Sequence, residues 1–514
     1  MRYRGVIACA VLAACGRLRF DAVGAGTGSG STTMDGTGSA VPDAAPFTPS
    51  HFSYIKASNT DTFDNFGTAL ALSADGATLA VSSVQEASAA TTINGNQSDN
   101  SAASAGAVYV FVRAGASWAQ QAYIKASNAE AFDSFGTSLA ISADGNTLAV
   151  GATGEASLAT GIGGNQGDNT ASAAGAVYVF TRNGATWSQQ AYIKASNTDA
   201  SDAFGTTVSL AADGSTLAVG APGEDSAATT INGNGADDSG VNSGAVYVFT
   251  RAGTTWSQQA YVKASNNTGA DDAFGTYAAL SSDGNTLVVG SPKEDGLATD
   301  SGAAYVYTRS GTTWTEQAYL KASNAGSGDA YGTRLALSGD GQTLAVGALD
   351  EWSAATGING DQSDNSSRFT GAVYTLTRAG ATWTQDTYIK ASNAQTNDFF
   401  SASVALSTDG AWLAVGASGE ASNATGLDGN QADNSSMNSG AVYLFARTGT
   451  SWAQSAYLKA PNTGTNDRFS HVAWSADGST LVVGATDENS NATGIDGNQA
   501  DNSMDNAGAV YAYF

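Results

Sequence analysis

One stretch of 30 residues, 123–152 (YIKASNAEAFDSFGTSLAISADGNTLAVGA), recurs with small changes from near residue 54 to the C-terminus. Its Tyr-aliphatic-Lys start falls at Tyr54, Tyr123, Tyr192, Tyr261, Tyr319, Tyr388 and Tyr457. The intervals are 69, 69, 69, 58, 69 and 69 residues, so the chain holds seven copies and one is eleven residues short. A fixed period of this length restricts the fold to a solenoid, a propeller or a similar array.

One period resolves into four strand signals. Phe135–Ile141 alternates apolar and small polar residues and ends at Asp144-Gly145, a strong hairpin turn. Thr147–Ala152 follows. A long Gly/Asn/Asp/Ser loop leads to residues 176–182 (AVYVFTR), Asn183-Gly184 and residues 187–195 (WSQQAYIKA). β-branched and aromatic residues dominate these runs, and no helical periodicity competes. Four antiparallel strands repeated seven times predict an all-β, seven-bladed β-propeller. A sandwich would not repeat the same residues seven times. The ends agree: residues 51–58 (HFSYIKAS) match a fourth strand with no blade before it, and residues 508–514 (GAVYAYF) match a third strand with nothing after it. Pairing the N-terminal strand with the last blade closes the ring without an open seam.

Phe-Gly-Thr at 66, 135, 204 and 274, Leu-Ala-Val-Gly-Ala-type second strands and Gly-Ala-Val-Tyr third strands resemble FG-GAP repeats, as in the seven-bladed head of integrin α subunits. The resemblance covers about residues 52–514 and implies a propeller. Phe400-Ser401, Phe469-Ser470 and Ser82-Ser83 depart from the pattern. The integrin-type Asp-x-Asp-x-Asp-Gly loop between first and second strands is absent, so integrin calcium sites and ligand recognition do not transfer.

Residues 1–14 (MRYRGVIACAVLAA) read as a signal peptide, too short to span a bilayer. Leu12-Ala13-Ala14-Cys15 resembles the bacterial lipobox, which implies lipidation of Cys15. Gly16, in place of the Asp that favours inner-membrane retention, implies the outer membrane of a Gram-negative bacterium. Cys9 would leave with the signal peptide, so no disulfide framework remains. Residues 15–50 read as a flexible tether rich in Gly, Ser and Thr, and residues 51–514 as the propeller. Lys+Arg total 21 against Asp+Glu 46, a net charge of −25. A body this acidic repels nucleic acid and anionic membrane surfaces, leaving cations, basic proteins and neutral glycans as partners. A monomer is expected, with membrane contact through the lipid alone.

No catalytic motif stands out, and the two histidines, His51 and His471, lie far apart. Three charged positions repeat sevenfold instead. An Asp precedes each first strand (Asp64, Asp133, Asp202, Asp272, Asp329, Asp398, Asp467). A Glu follows each second strand (Glu86, Glu155, Glu224, Glu294, Glu351, Glu420, Glu488), and a Lys ends each fourth (Lys56, Lys125, Lys194, Lys263, Lys321, Lys390, Lys459). All three sets emerge on one face. They read either as binding or acid/base groups or as structural pairs that fix the loops; sevenfold repetition favours the second. Six blades carry a long loop such as residues 155–170, and blade four omits the segment. Its Asp residues (Asp99, Asp168, Asp237, Asp364, Asp433, Asp501) read either as calcium ligands or as Asx-turn formers. Six tryptophans (Trp118, Trp187, Trp256, Trp314, Trp383, Trp452) open fourth strands and read as packing; Trp352, Trp412 and Trp474 fall outside that register. Blade five, beside the shortened loop, departs most from the repeat: Trp352, Arg334 and Arg368-Phe369 are therefore the expected ligand-binding residues. The expectation is a non-enzymatic surface binding or adhesion module; the alternatives are a polysaccharide-acting enzyme and a scaffold of an envelope complex.

Overall fold

The computed structural model describes residues 47–266 and 270–514, with the backbone of 33–34 and 40–41. Seven antiparallel sheets of four repeat-derived strands each form a ring. Blade 1 is Phe66–Leu72, Thr78–Ser83, Ala107–Ala114 and Ser117–Ile124. Blade 2 is Phe135–Ile141, Thr147–Ala152, Ala176–Asn183 and Thr186–Ile193, within two residues of every predicted boundary. Blade 7 is Phe469–Trp474, Leu481–Ala485 and Ala509–Tyr513, completed by Phe52–Ile55 in antiparallel register with Tyr54 opposite Tyr511. The ring closes as the sequence predicts. The signal peptide, Cys15 and most of the tether fall outside the described residues.

First strands neighbour one another around the axis, and apolar clusters fill the spaces between blades. Second strands such as Thr147–Ala152 are buried throughout, as strands with a sheet on either side must be. Within each blade an aromatic ladder ties three strands. Phe66 meets Tyr109 edge-on with centroids 5.4 Å apart, and Tyr109 meets Tyr123 at 5.3 Å.

Glycine at the second position of Phe-Gly has a steric cause. A β-carbon on Gly205 of blade 3 would press on the Ala176 carbonyl and Gly151 Cα of blade 2, and one on Gly151 would collide with the Gly205 carbonyl. The departures from the repeat obey the same constraint. Ser401 faces Gly347, Ser470 faces Gly416, and Ser82 faces Gly136. Each interface keeps at least one glycine, so a serine on one side is accommodated by its partner. Ser401 still adopts φ 85°, a conformation that side chains seldom take.

The long loops do more than wall a face. In blade 1 the Asn94 N–H donates to the Tyr123 carbonyl at 2.7 Å, and the Tyr123 N–H donates to Asn94 Oδ1 at 2.9 Å. Ile162 bridges Ile193, Ile358 bridges Ile389, and in blade 6 Gly426–Leu427 becomes a short fifth strand. Each such loop curls back over the open edge of its own fourth strand, the place where an unpaired edge would invite other chains. Blade 4 cannot do this. Glu294 reaches Gly302 in eight residues where Glu86 takes twenty to reach Gly106, one added residue before Asp272 leaving the period eleven short. Tyr319 is accordingly 40% exposed, while Tyr123 is fully buried.

The predicted tether is too long at its C-terminal end. Phe47 packs edge-on against Trp474 at 5.2 Å and Trp412 at 6.1 Å. The two tryptophans that broke the repeat therefore form a seat for the segment leading into the ring.

Candidate functional site

The Lys and Glu positions pair within each blade, buried in six blades and partly exposed at Lys321 of blade 4. In blade 1, Lys125 Nζ lies 2.8 Å from Glu86 Oε2. Glu86 also accepts from the Tyr123 hydroxyl at 2.8 Å, from Asn59 Nδ2 at 3.2 Å and from the Ser88 N–H at 3.2 Å. The same pair recurs in all seven blades at 2.6–3.0 Å. Burial lowers the Lys125 ammonium, and Glu86 opposes the shift. A fully hydrogen-bonded buried pair locks two loop roots together and leaves no free group for a ligand. This is the structural alternative of the sequence reading.

The repeated Asp sits beside this pair. Asp133 Oδ2 accepts the Glu130 N–H at 2.8 Å, closing the turn that leads into the first strand. Burial chiefly, with Glu155 and Glu130 nearby, raises its carboxyl to about 7. Asp64, Asp202, Asp398 and Asp467 are likewise raised to about 7, and Asp329 to about 6.

The six loop aspartates cap their own turns. Asp99 Oδ1 accepts the Ser101 N–H at 3.0 Å, Asp168 the Thr170 N–H at 3.1 Å, and Asp237 the Ser239 N–H at 3.1 Å. Asp364, Asp433 and Asp501 repeat this at 2.8–2.9 Å. No group of three or more His, Cys, Asp or Glu side chains suited to a metal occurs among the described residues. The donors around these carboxylates are N–H and O–H groups, the geometry of an Asx-turn.

Three of the four predicted ligand-binding residues converge. The Arg368 guanidinium stands 4.8 Å from the Trp352 ring, and Phe369 meets Trp352 edge-on at 6.0 Å. A fourth member was missed: Phe399, from the start of blade 6, stacks on Phe369 at 5.8 Å. Backbone bonds hold the assembly, with the Asn397 N–H on the Arg368 carbonyl and the Phe399 N–H on that of Phe369, both 3.0 Å. Arg368 is exposed and the rings are half-buried. Between blades 2 and 3 the same positions hold Ala156, Ser172, Ala173 and Ala203. The platform is thus built from residues that only this junction carries.

Arg334 does not belong to it, which corrects the predicted grouping. It lies on a first strand and therefore in the central channel. Its Nε donates to the Ala402 carbonyl at 2.8 Å, its Nη1 to that of Thr333 at 2.9 Å, and its guanidinium lies 5.5 Å from the Tyr277 ring. The cavity around it, about 360 Å3, is lined from all seven blades and includes His471. Burial, then the Arg334 and Arg468 charges, lower His471 to about 4. Stacking the repeats by strand register would have found this set: the column reads Ala69, Ser138, Thr207, Tyr277, Arg334, Ser403, His471.

Among solved structures, a putative 6-phosphogluconolactonase from Bacteroides uniformis is similar at TM-score 0.46 and 13% identity, over 78% of this chain and 93% of that one. A chain of the Mitotic Checkpoint Complex is similar at TM-score 0.46 and 14% identity, over 91% and 96%. No curated protein matches. The FG-GAP repeat matches residues 118–180, 187–249, 256–307, 314–376 and 383–445, each running from the Trp of a fourth strand to the third strand of the next blade. These matches cover more than half of a chain whose glycines and aromatics hold the blades together, and the chain belongs to the FG-GAP repeat family.

Proposed function

We propose that the protein is a non-enzymatic binding module that engages a protein or glycan through the looped face of its propeller. The observation that carries this reading is the platform of Trp352, Arg368, Phe369 and Phe399. It is a cation above one of three clustered aromatic rings, half-exposed, at a junction whose matching positions in the other blades carry no aromatic ring. Aromatic and Arg side chains grouped in this way are the types that dominate binding energy at interfaces. Carboxylates with strongly raised values, which an acid/base enzyme would need, belong instead to the repeated buried Asp set, where each closes a turn. The lipobox-like Leu12-Ala13-Ala14-Cys15, outside the described residues, supports display of the module from the outer membrane by a lipid on Cys15.

A glycan and protein binding screen tests the reading. Against any ligand so found, Trp352→Ala and Arg368→Ala are each expected to weaken binding by about 1 kcal/mol or more with folding intact. Leu158→Ala, on the exposed loop of blade 2, is expected to leave binding unchanged. Equal affinity across all three variants would move the site off this face sector. Loss of membrane attachment in Cys15→Ser, followed by lipid labelling, tests the anchor separately.

A further inference from the structure

The central channel contains a second, separate set of residues that break the repeat. Its first-strand column is small in blades 1, 2, 3 and 6, with Ala69, Ser138, Thr207 and Ser403, but carries Tyr277, Arg334 and His471 in blades 4, 5 and 7. Seven identical blades would line a channel with seven identical side chains. Three large hydrogen-bonding groups in one ring give the lumen a polar side that the fold does not require.

The donors in this ring are not all used. Several serine and threonine hydroxyls of the lining are already spent on carbonyls: Ser138 on Gly205, Thr137 on Ser134 and Thr276 on Ala273. Arg334 uses Nε and Nη1 on two carbonyls, which fixes the plane of its guanidinium and leaves Nη2 without a partner among the described residues. His471 Nδ1 is buried and has no hydrogen-bond partner there. Buried polar groups without partners are costly, and their persistence calls for a cause. Charge narrows the ligand. In a chain of net charge −25, no carboxylate lines this cavity, and Arg334 is the one cation among the residues that do. Toward the hairpin face every blade adds one apolar side chain, from Leu72 of blade 1 to Leu406 of blade 6 and Trp474 of blade 7.

We propose that the channel binds a small monocarboxylate, its carboxylate on Arg334 and His471 beside Tyr277 and its apolar part toward the leucine ring. One guanidinium matches one negative charge, and a planar carboxylate accepts from a guanidinium edge in the geometry that favours Arg. This site is independent of the looped-face platform and survives if that reading fails.

The chain contains only two histidines, so nitrogen-edited NMR of the imidazoles reads the site directly, with His51 as internal control. Titrating the full-length protein with acetate and benzoate is expected to shift His471 saturably and leave His51 unmoved, benzoate binding more tightly. Arg334→Gln is expected to weaken the response roughly tenfold or more, the value of a charge-assisted hydrogen bond. Leu158→Ala, on an exposed loop, is expected to leave it unchanged. The proposal is overturned if neither carboxylate moves His471, if Arg334→Gln, shown folded by its His51 and amide spectra, responds like the parent, or if inorganic phosphate alone binds.

Discussion

Blade 1 and blade 4 share strands, hairpins and the Lys–Glu pair, yet differ in one loop. In blade 1 the loop closes over the outer strand: Asn94 exchanges two hydrogen bonds with the Tyr123 backbone, Tyr123 is fully buried, and Lys125–Glu86 is 0% and 1% exposed. In blade 4 the loop is missing, Tyr319 is 40% exposed, and Lys321–Glu294 is 10% and 5% exposed. The pair survives at 2.6 Å, because its partners come from the blade itself. Burial pushes Glu294 up, but Lys321, the Gly296 N–H and the Tyr319 hydroxyl outweigh it and hold the carboxyl below its ordinary value. The difference separates two jobs that the repeat combines: the Lys–Glu pair joins loop roots, and the long loop keeps water and other chains from the outer edge.

The largest expected effect comes from breaking the pair on each side of this comparison. Lys125→Met leaves Glu86 buried without its cation, and removing one partner of a buried pair costs about 3–5 kcal/mol. Lys321→Met is expected to cost less than half of that, since water reaches Glu294. Chemical denaturation measures both. Equal losses would mean that the loop does not set the polarity around the pair.

A smaller effect follows from the Asp that succeeds each pair. Asp133, after blade 1, is raised to about 7, and Asp329, after the notch, to about 6. The folded protein thus holds protons that the unfolded chain releases near its ordinary value of 3.8. Stability from these groups is full below about pH 4 and is lost as pH rises, through about 6 for Asp329 and about 7 for Asp133. Asp133→Asn is expected to flatten the slope of melting temperature against pH up to 7, and Asp329→Asn to flatten it only up to about 6. A parent protein whose stability rises from pH 5 to 7 would reverse the sign and overturn the assignment.

Third comes the loop itself. Grafting residues 87–105 of blade 1 in place of 295–301 is expected to cover Tyr319 and slow exchange of its amide toward that of Tyr123. The gain in stability should be about 1 kcal/mol, the scale of one or two hydrogen bonds. Unchanged exchange at Tyr319 would show that the edge is protected by something other than the loop.

Most of the fold was legible because it is written seven times. Strand limits, the Asp-Gly turns and ring closure follow from the period, and Tyr54 does lie opposite Tyr511. What was lost lay between repeats. Arg334 and Trp352 are 18 positions apart in one blade, but a first strand runs along the axis while a loop root lies on the face. Phe399 was missed because it enters the platform from the next blade. Phe47 was missed because a window rich in Gly, Ser and Thr hides one aromatic whose partners, Trp412 and Trp474, lie more than 360 residues away. Column-wise reading of the departures, not their proximity in sequence, recovers the channel set.

The smallest expected effect concerns calcium, and it again sets long-loop blades against blade 4. If the loops were cation cages, six blades would be stabilised by calcium and the fourth would not. The geometry argues against a cage. Asp99 Oδ1 faces the Ser101 N–H, and Asp433 Oδ1 accepts from the Ser435 N–H at 2.9 Å, the Asn423 N–H at 3.2 Å and the Ser435 hydroxyl at 2.7 Å. A bound cation must face oxygen lone pairs, so these turns would have to open and surrender donors already satisfied. Millimolar calcium is therefore expected to move the melting temperature by less than about 1 °C, where a ligand at a hundred times its dissociation constant would contribute about 2.7 kcal/mol. The same null is expected for the blade 4 graft, which adds a seventh loop. A saturable rise reversed by chelator, and larger in the graft than in the parent, would show that the loops rearrange into cation sites.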